Sequence, residues 1–431
     1  MKNLKNISLT LFFTAIIVLG FAVPVNPPGW YQQPLPVNDQ INDIYFINAE
    51  TGWIVTNGRF NTNDTAYIMK TTDGGTSWVI QKSRLEELNA VQFLDANTGF
   101  AGGGVNGTVM ASIYKTTNGG TNWTDLNNLG GTRVNDMAFV SKDTGWISFE
   151  GGLTSFILKT ENGGLNWSQQ YTQSEHLGKI FMLNKDTGWF TTQSANGQLY
   201  RTTNGGMNWG LLYTFPNTIL SFCFTNFTNG YIGGISPTIQ YTTNGGLNWA
   251  VSNGEIGGYS ISFINDSIGF AGGGSVPLRI LKTTDYGRIW YYQNAPATPN
   301  ISIAVLKNDT SNVWAGRQIL IHTTDGGGQL YLGVEQIGSE IPVDYKLYQN
   351  YPNPFNPVTR MKYSLKQHAS NVKLIIYDLT GRQKYNFVYT DQNAGTYETE
   401  LDATGMASGV YFYLLSVNDK VIDTKKLMLI K

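Results

Sequence analysis

The sequence predicts an all-β protein, a seven-bladed β-propeller followed by a small C-terminal β-sandwich. Three observations predict this: a composition suited to strands and turns, a motif repeated seven times, and a new set of alternating stretches after the last repeat. Of the 431 residues, 13% are aromatic, 49 are glycine and only 14% are charged. Aromatic side chains favour strands and glycines favour tight turns, so this composition fits sheets better than helices.

The repeated motif is KTTDGGTSW at residues 70–78, and its copies follow one another at spacings of 40 to 45 residues. The other six are KTTNGGTNW at 115–123, KTENGGLNW at 159–167, RTTNGGMNW at 201–209, YTTNGGLNW at 241–249, KTTDYGRIW at 282–290 and HTTDGGGQL at 322–330. An alternating strand, a Gly-aromatic strand such as Gly52-Trp53 and a third strand precede the first copy, and the same order recurs. A period of about 40–50 residues built from four short strands is typical of a propeller blade.

The motif itself predicts a turn and its anchor. The Asp73 carboxylate accepts hydrogen bonds from nearby backbone N–H groups, and the two glycines supply positive φ angles. Trp78 then begins the outgoing strand and packs between sheets. We therefore expect structural roles for Asp73, Trp78, Asn118, Trp123, Asn162, Trp167, Asn204, Trp209, Asn244, Trp249, Asp285, Trp290 and Asp325.

The last copy lacks the tryptophan, because Leu330 stands in its place. Residues 29–33, GWYQQ, lie before the first inner strand and read as an outer strand without a blade. We expect this segment to complete blade seven and close the ring, which removes two sheet edges. The alternative outer strand is residues 329–334.

The N-terminus predicts a signal peptide at residues 1–22. Lys2 and Lys5 precede an apolar run from Ile7 to Ala22, which ends in small residues. A membrane anchor is the alternative, although prolines follow the run directly. Cys223 is the only cysteine, so no intramolecular disulfide forms, and its phenylalanine neighbours indicate a small buried residue.

The repeat resembles the Asp-box, or bacterial neuraminidase repeat, and its TTDGG-x-x-W form with a preceding TGW resembles propellers of the photosystem II assembly factor type. This resemblance implies the propeller fold over residues 23–333. It leaves the function open, because the turn occurs in sialidases, in xyloglucan-degrading enzymes and in binding proteins without activity.

The repeat ends near residue 334, where a Pro/Asn-rich segment begins. We expect a linker at 334–350 and a sandwich at 351–431, with strands over 359–365, 372–377 and 409–417 and a turn at 378–382. The segment resembles the C-terminal sorting domain (type A) of type IX secretion cargo in the Bacteroidetes, on QNYPNPFNP at 349–357, IYDLTGR at 376–382, SGVYFYLL at 408–415 and the KKLMLIK ending. This resemblance implies export through the periplasm to the cell surface or the medium, with the type IX machinery as partner. A generic carbohydrate-binding or adhesive sandwich is the alternative.

Catalytic signatures are sparse. A sialidase needs an arginine cluster and a tyrosine nucleophile, but Arg201 and Arg288 lie within repeated turns and Arg279 precedes one. The arginines left to line a pocket are Arg59, Arg84, Arg133 and Arg317. Asp43 and Asp136 begin the inner strands of blades one and three and face the central funnel, where two carboxylates would suit glycoside hydrolysis; turn formation is the alternative. Glu150, Glu175 and His176 are isolated candidates.

Short blades leave little room for catalytic insertions, so the sequence favours a monomeric, non-catalytic module that binds a glycan, a protein or an envelope component. The expected rim residues are Asn42, Asp43, Asn89, Arg133, Asn135 and Asp136. A secreted glycoside hydrolase is the alternative. A net charge of −1 without a basic stripe argues against nucleic acid. No cofactor, no metal site and no integral membrane segment after signal cleavage are expected.

Overall fold

A computed structural model describes residues 29–58, 65–104, 111–126, 129–234, 239–252, 258–273, 279–293, 295, 302–327, 335–338, 340–403 and 406–430. The expected signal peptide, Arg59 and residues 329–334 lie outside these ranges. The described chain consists of strands joined by turns, in nine four-stranded sheets. No helix in these ranges is long and apolar enough to cross a membrane.

The first seven sheets are the blades, each an antiparallel meander that runs from an inner to an outer strand. Blade one contains β2 (Ile41–Phe46), β3 (Gly52–Thr56), β4 (Ala66–Thr71) and β5 (Val79–Arg84); blade two β6 (Leu88–Phe93), β7 (Gly99–Gly103), β8 (Ser112–Thr116) and β9 (Thr124–Asp125); and blade three β10 (Arg133–Phe139), β11 (Gly145–Glu150), β12 (Ser155–Thr160) and β13 (Ser168–Gln173). Blade four contains β14 (Leu177–Met182), β15 (Gly188–Thr192), β16 (Gln198–Thr202) and β17 (Gly210–Thr214); blade five β18 (Ile219–Phe224), β19 (Gly230–Gly234), β20 (Gln240–Thr242) and β21 (Ala250–Val251); and blade six β22 (Gly258–Phe263), β23 (Gly269–Gly273), β24 (Arg279–Thr283) and β25 (Tyr291–Tyr292). Blade seven contains β26 (Ser302–Val305), β27 (Val313–Gly316), β28 (Leu320–Thr323) and β1 (Trp30–Gln33).

Blade seven takes its outer strand from the beginning of the propeller. Strand β1 pairs antiparallel with β28, with Trp30 opposite Thr323 and Gln33 opposite Leu320. The expected closure of the ring by residues 29–33 is therefore confirmed. This pairing removes the edges that β1 and β28 would otherwise expose.

The Gly-aromatic strands explain how neighbouring blades pack. A side chain on Gly52 would clash with the ring of Phe46, because its Cβ would lie 2.4 Å from that ring. The aromatic residue that follows, Trp53, is fully buried and stacks on Phe93 of blade two, with ring centroids 3.4 Å apart. Trp314 of blade seven stacks in the same way on Phe46 of blade one, at 3.6 Å. We call the junction between two neighbouring blades a seam, and the junction between blades seven and one the closing seam. The same stacking thus recurs at the closing seam, and aromatic contacts hold the ring of blades together.

The C-terminal sandwich contains two four-stranded sheets, in the orders β29-β34-β31-β30 and β33-β32-β35-β36. Its strands are β29 (Glu335–Gly338), β30 (Lys346–Leu347), β31 (Val358–Leu365), β32 (Ala369–Asp378), β33 (Gln383–Gln392), β34 (Gly395–Asp402), β35 (Gly409–Val417) and β36 (Lys420–Leu429). Tyr363, Leu374 and Tyr413 are fully buried in its core.

Two expectations for this region need correction. The segment expected as a linker, residues 334–350, contributes β29 and β30 to the sandwich, because its backbone pairs with β34 and β31. Hydrophobic alternation predicted only three of the eight strands of the sandwich, β31, β32 and β35. Strands β33, β34 and β36 carry many polar residues and are held by pairing with those three.

Candidate functional site

The propeller has two faces of different character. Each inner strand begins at one face, which we call the mouth face, and ends at the other. Because the four strands of a blade alternate in direction, the repeated motif between its third and fourth strands lies on the second face, which we call the turn face. The expected binding residues lie on inner strands at the mouth face, and the Asp-box residues lie on the turn face.

The three rim asparagines connect neighbouring blades. The side-chain amide of Asn42 donates to the carbonyl oxygen of Leu88 at 2.8 Å. Asn89 donates to Val134 and Asn135 donates to Leu177 in the same way, each at 2.9 Å. Each of these side chains therefore bonds a residue at the start of the next inner strand, which gives it a structural role at the junction between two blades.

The next position on each inner strand also bonds the following blade. Asp43 Oδ2 accepts a hydrogen bond from the backbone N–H of Val91 at 2.9 Å, and Asp136 Oδ2 accepts one from Ile180 at 2.9 Å. The hydroxyls of Ser221 and Ser260 accept from Ile261 and Ile303, at 2.9 and 3.2 Å. Position and task are thus the same for two aspartates and two serines.

Asp43 and Asp136 line one central cavity of about 390 Å³. Its lining includes four charged side chains, those of Asp43, Asp136, Lys179 and Arg317, and the apolar or aromatic side chains of Ile180, Phe181, Leu220, Phe222 and Tyr259. Lys179 Nζ lies 3.5 Å from Asp136 Oδ1. The cavity therefore combines charged groups with apolar and aromatic ones.

Burial governs the charges in this cavity. Desolvation raises the pKa of Asp43 to about 6, and Lys179 opposes that rise. Burial also raises the pKa of Asp136, while the Asp136 carboxylate raises the pKa of Lys179. Sequence reasoning missed Lys179; aligning the inner strands finds it, because it occupies the same position as Asp43 and Asp136.

A second polar cluster lies at the mouth face around Glu150, which is 1% exposed. Its Oε1 accepts from Arg133 Nη2 at 3.0 Å and from Asn135 Nδ2 at 2.9 Å, and His176 Nδ1 lies 3.2 Å away. Arg133 also lies 4.0 Å from buried Glu87. The expectation that Glu150 and His176 are isolated is therefore wrong, because strand pairing places Glu150 opposite Arg133.

The remaining candidates are dispersed. Arg84 is buried and bonds Glu86, so the expectation that it is free to line a pocket is wrong. Arg317 lines the central cavity, and Glu175 is exposed in a loop. Burial raises the pKa of the Cys223 thiol, which disfavours a reactive thiolate.

On the turn face the seven Asp-box turns share a Thr-to-Asx hydrogen bond, whereas the bond from the indole N–H to the turn glycine is made, among the described residues, by Trp78, Trp249 and Trp290. Asp73 Oδ1 accepts from the Thr71 hydroxyl at 2.8 Å and from the Ser77 N–H at 2.9 Å, and Trp78 Nε1 donates to Gly75 at 3.1 Å. The Thr-to-Asx bond recurs at Asn118, Asn162, Asn204, Asn244, Asp285 and Asp325. Trp123, Trp167, Trp209, Trp249 and Trp290 pack edge-on against phenylalanines. Within the described ranges, no group of three His, Cys, Asp or Glu side chains could hold a metal ion.

Two family models match parts of the chain. Residues 349–431 match the secretion system C-terminal sorting domain, and residues 25–131 match the photosynthesis system II assembly factor YCF48. The chain is an Asp-box β-propeller with a type IX C-terminal sorting domain. This sorting domain implies export to the cell surface or secretion, and association with the type IX machinery.

Solved structures with the same fold include YCF48 bound to D1 peptide, which is 18% identical, with a TM-score of 0.54 over 70% of this chain and 98% of that chain. YCF48 from Cyanidioschyzon merolae is 15% identical, with a TM-score of 0.54 over 69% and 98%. PorZ, an essential bacterial surface component of the type IX secretion system of Porphyromonas gingivalis, is 16% identical, with a TM-score of 0.51 over 93% of this chain and 61% of its own. At these identities the likeness shows the fold. No curated protein matches the chain.

Proposed function

We propose that the exported propeller is a non-catalytic binding module that holds a glycan, a protein segment or an envelope component in the central cavity at its mouth face. The observation that carries this proposal is the hydrogen bonding of the two cavity aspartates, Asp43 and Asp136. Each uses one carboxylate oxygen to accept a backbone N–H of the next blade, at 2.9 Å. Serines perform the same task in blades five and six, so the aspartates serve the seam as the serines do.

The composition of the cavity supports binding. Ligand cavities are lined mostly by apolar and aromatic groups, with a few polar groups that orient the ligand. Phe222, Leu220 and Tyr259 provide the first kind of group, and Arg317 and Lys179 provide the second. YCF48 has been solved with a peptide bound, which places peptides, together with glycans, among the ligands to test.

One observation favours the alternative, a glycoside hydrolase. A carboxyl group with a pKa of about 6, such as that of Asp43, matches the requirement for a general acid near neutral pH. Asp136 lines the same cavity and would be the second carboxylate. Lys179 opposes the rise that burial causes in the pKa of Asp136, and so favours the charged form that a nucleophile or a base needs.

Incubation with polysaccharides, sialoglycans and peptides separates the two functions. We expect at least one compound to be retained without change, and retention to fall about tenfold or more in Tyr259→Ala or Arg317→Ala variants, which lose cavity contacts. Ser262→Ala, on an inner strand but outside the cavity lining, is the matched control. Sugar release that disappears in an Asp43→Asn, Asp136→Asn double variant would overturn the binding proposal.

For export, we propose a signal peptide at 1–22, a propeller at 23–333 and a sorting region that reaches to residue 431. Deletion of residues 351–431 should leave the propeller inside the cell envelope, because the signal for the outer-membrane step is lost. Surface labelling and fractionation of the producing bacterium measure this. Unchanged surface exposure of the truncated chain would contradict the assignment.

A further inference from the structure

The sixth Asp-box differs from the other copies at Tyr286, Arg288 and Ile289, of which Tyr286 and Arg288 are exposed. Its sequence, KTTDYGRIW, places Tyr286 where all six other copies have glycine, and Arg288 where they have Thr, Leu, Met or Gly. The structural bonds of the turn are retained: Asp285 Oδ1 accepts from the Thr283 hydroxyl at 2.8 Å, and Trp290 Nε1 donates to Gly287 at 3.1 Å. The scaffold of this turn is therefore intact, and its surface is changed.

Tyr286 occupies a position that disfavours a side chain. Its φ is +65°, in the left-handed region where the corresponding glycines lie at +67° to +75°. A Cβ on those glycines would lie 2.3 to 2.9 Å from a carbonyl oxygen of the neighbouring turn. The backbone hydrogen bond at this position is correspondingly longer in blade six. The distance from Tyr286 N to Ser267 O is 3.2 Å, whereas the six corresponding glycine bonds measure 2.8 Å. Strain of this kind is retained where a side chain has a function.

Tyr286 and Arg288 line a cavity of about 230 Å³ between blades five and six, on the turn face. Tyr286 is 47% exposed, and the Arg288 guanidinium lies 5.8 Å from the centre of its ring. In the part of the chain that the structure describes, Arg288 forms no ion pair with a carboxylate. Asn229, Tyr231, Thr242 and Thr243 complete the lining.

We propose that this cavity binds a carboxylate-bearing sugar unit of an acidic polysaccharide. The Arg288 guanidinium has the planar, forked geometry that pairs with a carboxylate, and the exposed face of Tyr286 offers a surface for the sugar ring. Thr243 and Asn229 present uncharged hydrogen-bonding groups for sugar hydroxyls. The volume admits one ring, which favours a single sugar unit over a longer peptide. This site lies on the opposite face from the proposed mouth site and shares no residue with it.

Isothermal titration of the full chain with trigalacturonate tests the proposal. Maltotriose is the neutral counterpart and an acidic aspartyl tripeptide is the peptide counterpart. We expect trigalacturonate to bind, and its affinity to fall about tenfold or more in Arg288→Thr, which restores the residue of the first two copies. Leu247→Thr, at the same motif position in blade five, is the matched control and should bind as the parent does.

Tyr286→Gly separates function from folding, because it restores the residue of the other six copies. We expect this variant to lose trigalacturonate binding while its melting temperature rises, since the strain is relieved. Equal trigalacturonate binding in Tyr286→Gly and the parent would overturn the proposal. So would absence of trigalacturonate binding by the parent, preference for the tripeptide, or a lower melting temperature of Tyr286→Gly. Arg317→Ala at the mouth face leaves this site intact, so each site fails or succeeds independently.

Discussion

The seam between blades one and two differs from the seam that closes the ring between blades seven and one. At the first, Lys70 Nζ and Gln81 Nε2 both donate to the carbonyl oxygen of Gly119, at 3.0 and 2.9 Å. The Lys70 ammonium also lies over the ring of Trp53, 5.1 Å from its centre. The indole N–H of Trp53 is buried without a hydrogen-bond partner among the described residues.

At the closing seam the corresponding acceptor is the carbonyl oxygen of Gly74. Gln33 Nε2 donates to it at 2.8 Å, and the second donor is the indole N–H of Trp314, at 2.9 Å. His322 stands at the motif position of Lys70 and stacks on Trp314, with centroids 4.3 Å apart. Trp314 thus makes the bond that Lys70 makes at the first seam, and the neutral ring of His322 stands in place of the Lys70 ammonium.

His322 is satisfied locally instead. The Tyr31 hydroxyl lies 2.8 Å from its Nδ1, and Asn312 Oδ1 lies 3.2 Å from its Nε2. A neutral imidazole protonated at Nε2 satisfies both bonds, because its Nδ1 accepts from Tyr31 and its Nε2 donates to Asn312. Tyr31 is separated from His322 by 291 residues. The comparison teaches that blade seven, whose strands β28 and β1 are joined by pairing alone, places buried, uncharged groups at its seam with blade one. These groups are sensitive to truncation and to protonation.

The largest effect is expected for Trp314→Ala. This residue is fully buried, stacks on Phe46 and donates to Gly74. Its loss should lower the free energy of unfolding by about 3–5 kcal/mol. The matched variant Trp53→Ala removes an equally buried ring that makes no hydrogen bond to a described residue, so it should cost about 1 kcal/mol less. Urea denaturation measures both, and equal losses would contradict the seam comparison.

Acidification should weaken the closing seam next. Burial lowers the pKa of His322 to about 4, although Asp309 opposes the shift. The folded protein keeps the ring neutral while the unfolded chain takes up a proton below about pH 6.5. This contribution is therefore fully present above pH 6.5 and is lost as the pH falls towards 4, by about 3 kcal/mol at most.

The measurement is the free energy of unfolding of the parent and of His322→Gln at pH 7.5 and 4.5. The glutamine variant should lose less stability than the parent between the two values. A parallel decline of parent and His322→Gln would show that the closing seam does not titrate.

A smaller effect distinguishes the two glutamines that donate to glycine carbonyls. Gln33 is 5% exposed, whereas Gln81 is half-buried. Gln33→Ala should therefore lower the free energy of unfolding by about 1–2 kcal/mol, and Gln81→Ala by less than about 1 kcal/mol. Thermal unfolding of both variants, compared with the parent, ranks them. The reverse order would indicate that burial does not set the strength of these bonds.

Much of the fold could be predicted from the sequence because its chemistry is local. An Asp-box turn is determined within nine residues, since Thr71, Asp73, Gly75 and Trp78 bond one another. The repeat period predicts four strands in each blade, because it too is a property of neighbouring residues along the chain. The unpaired GWYQQ segment and the missing final tryptophan together predicted the closing strand, which the structure confirms.

Only the tertiary structure decided what the inner strands bring together. Glu150 and Arg133 meet through strand pairing, and Asp43 and Lys179 reach one cavity from different blades. Such contacts join residues tens of positions apart, and their partners depend on how sheets pack, which no local pattern records. The strain at Tyr286 is likewise visible only where the carbonyl of a neighbouring turn limits the space. The sequence by itself therefore determined the turns and the blades, and packing between blades decided the sites.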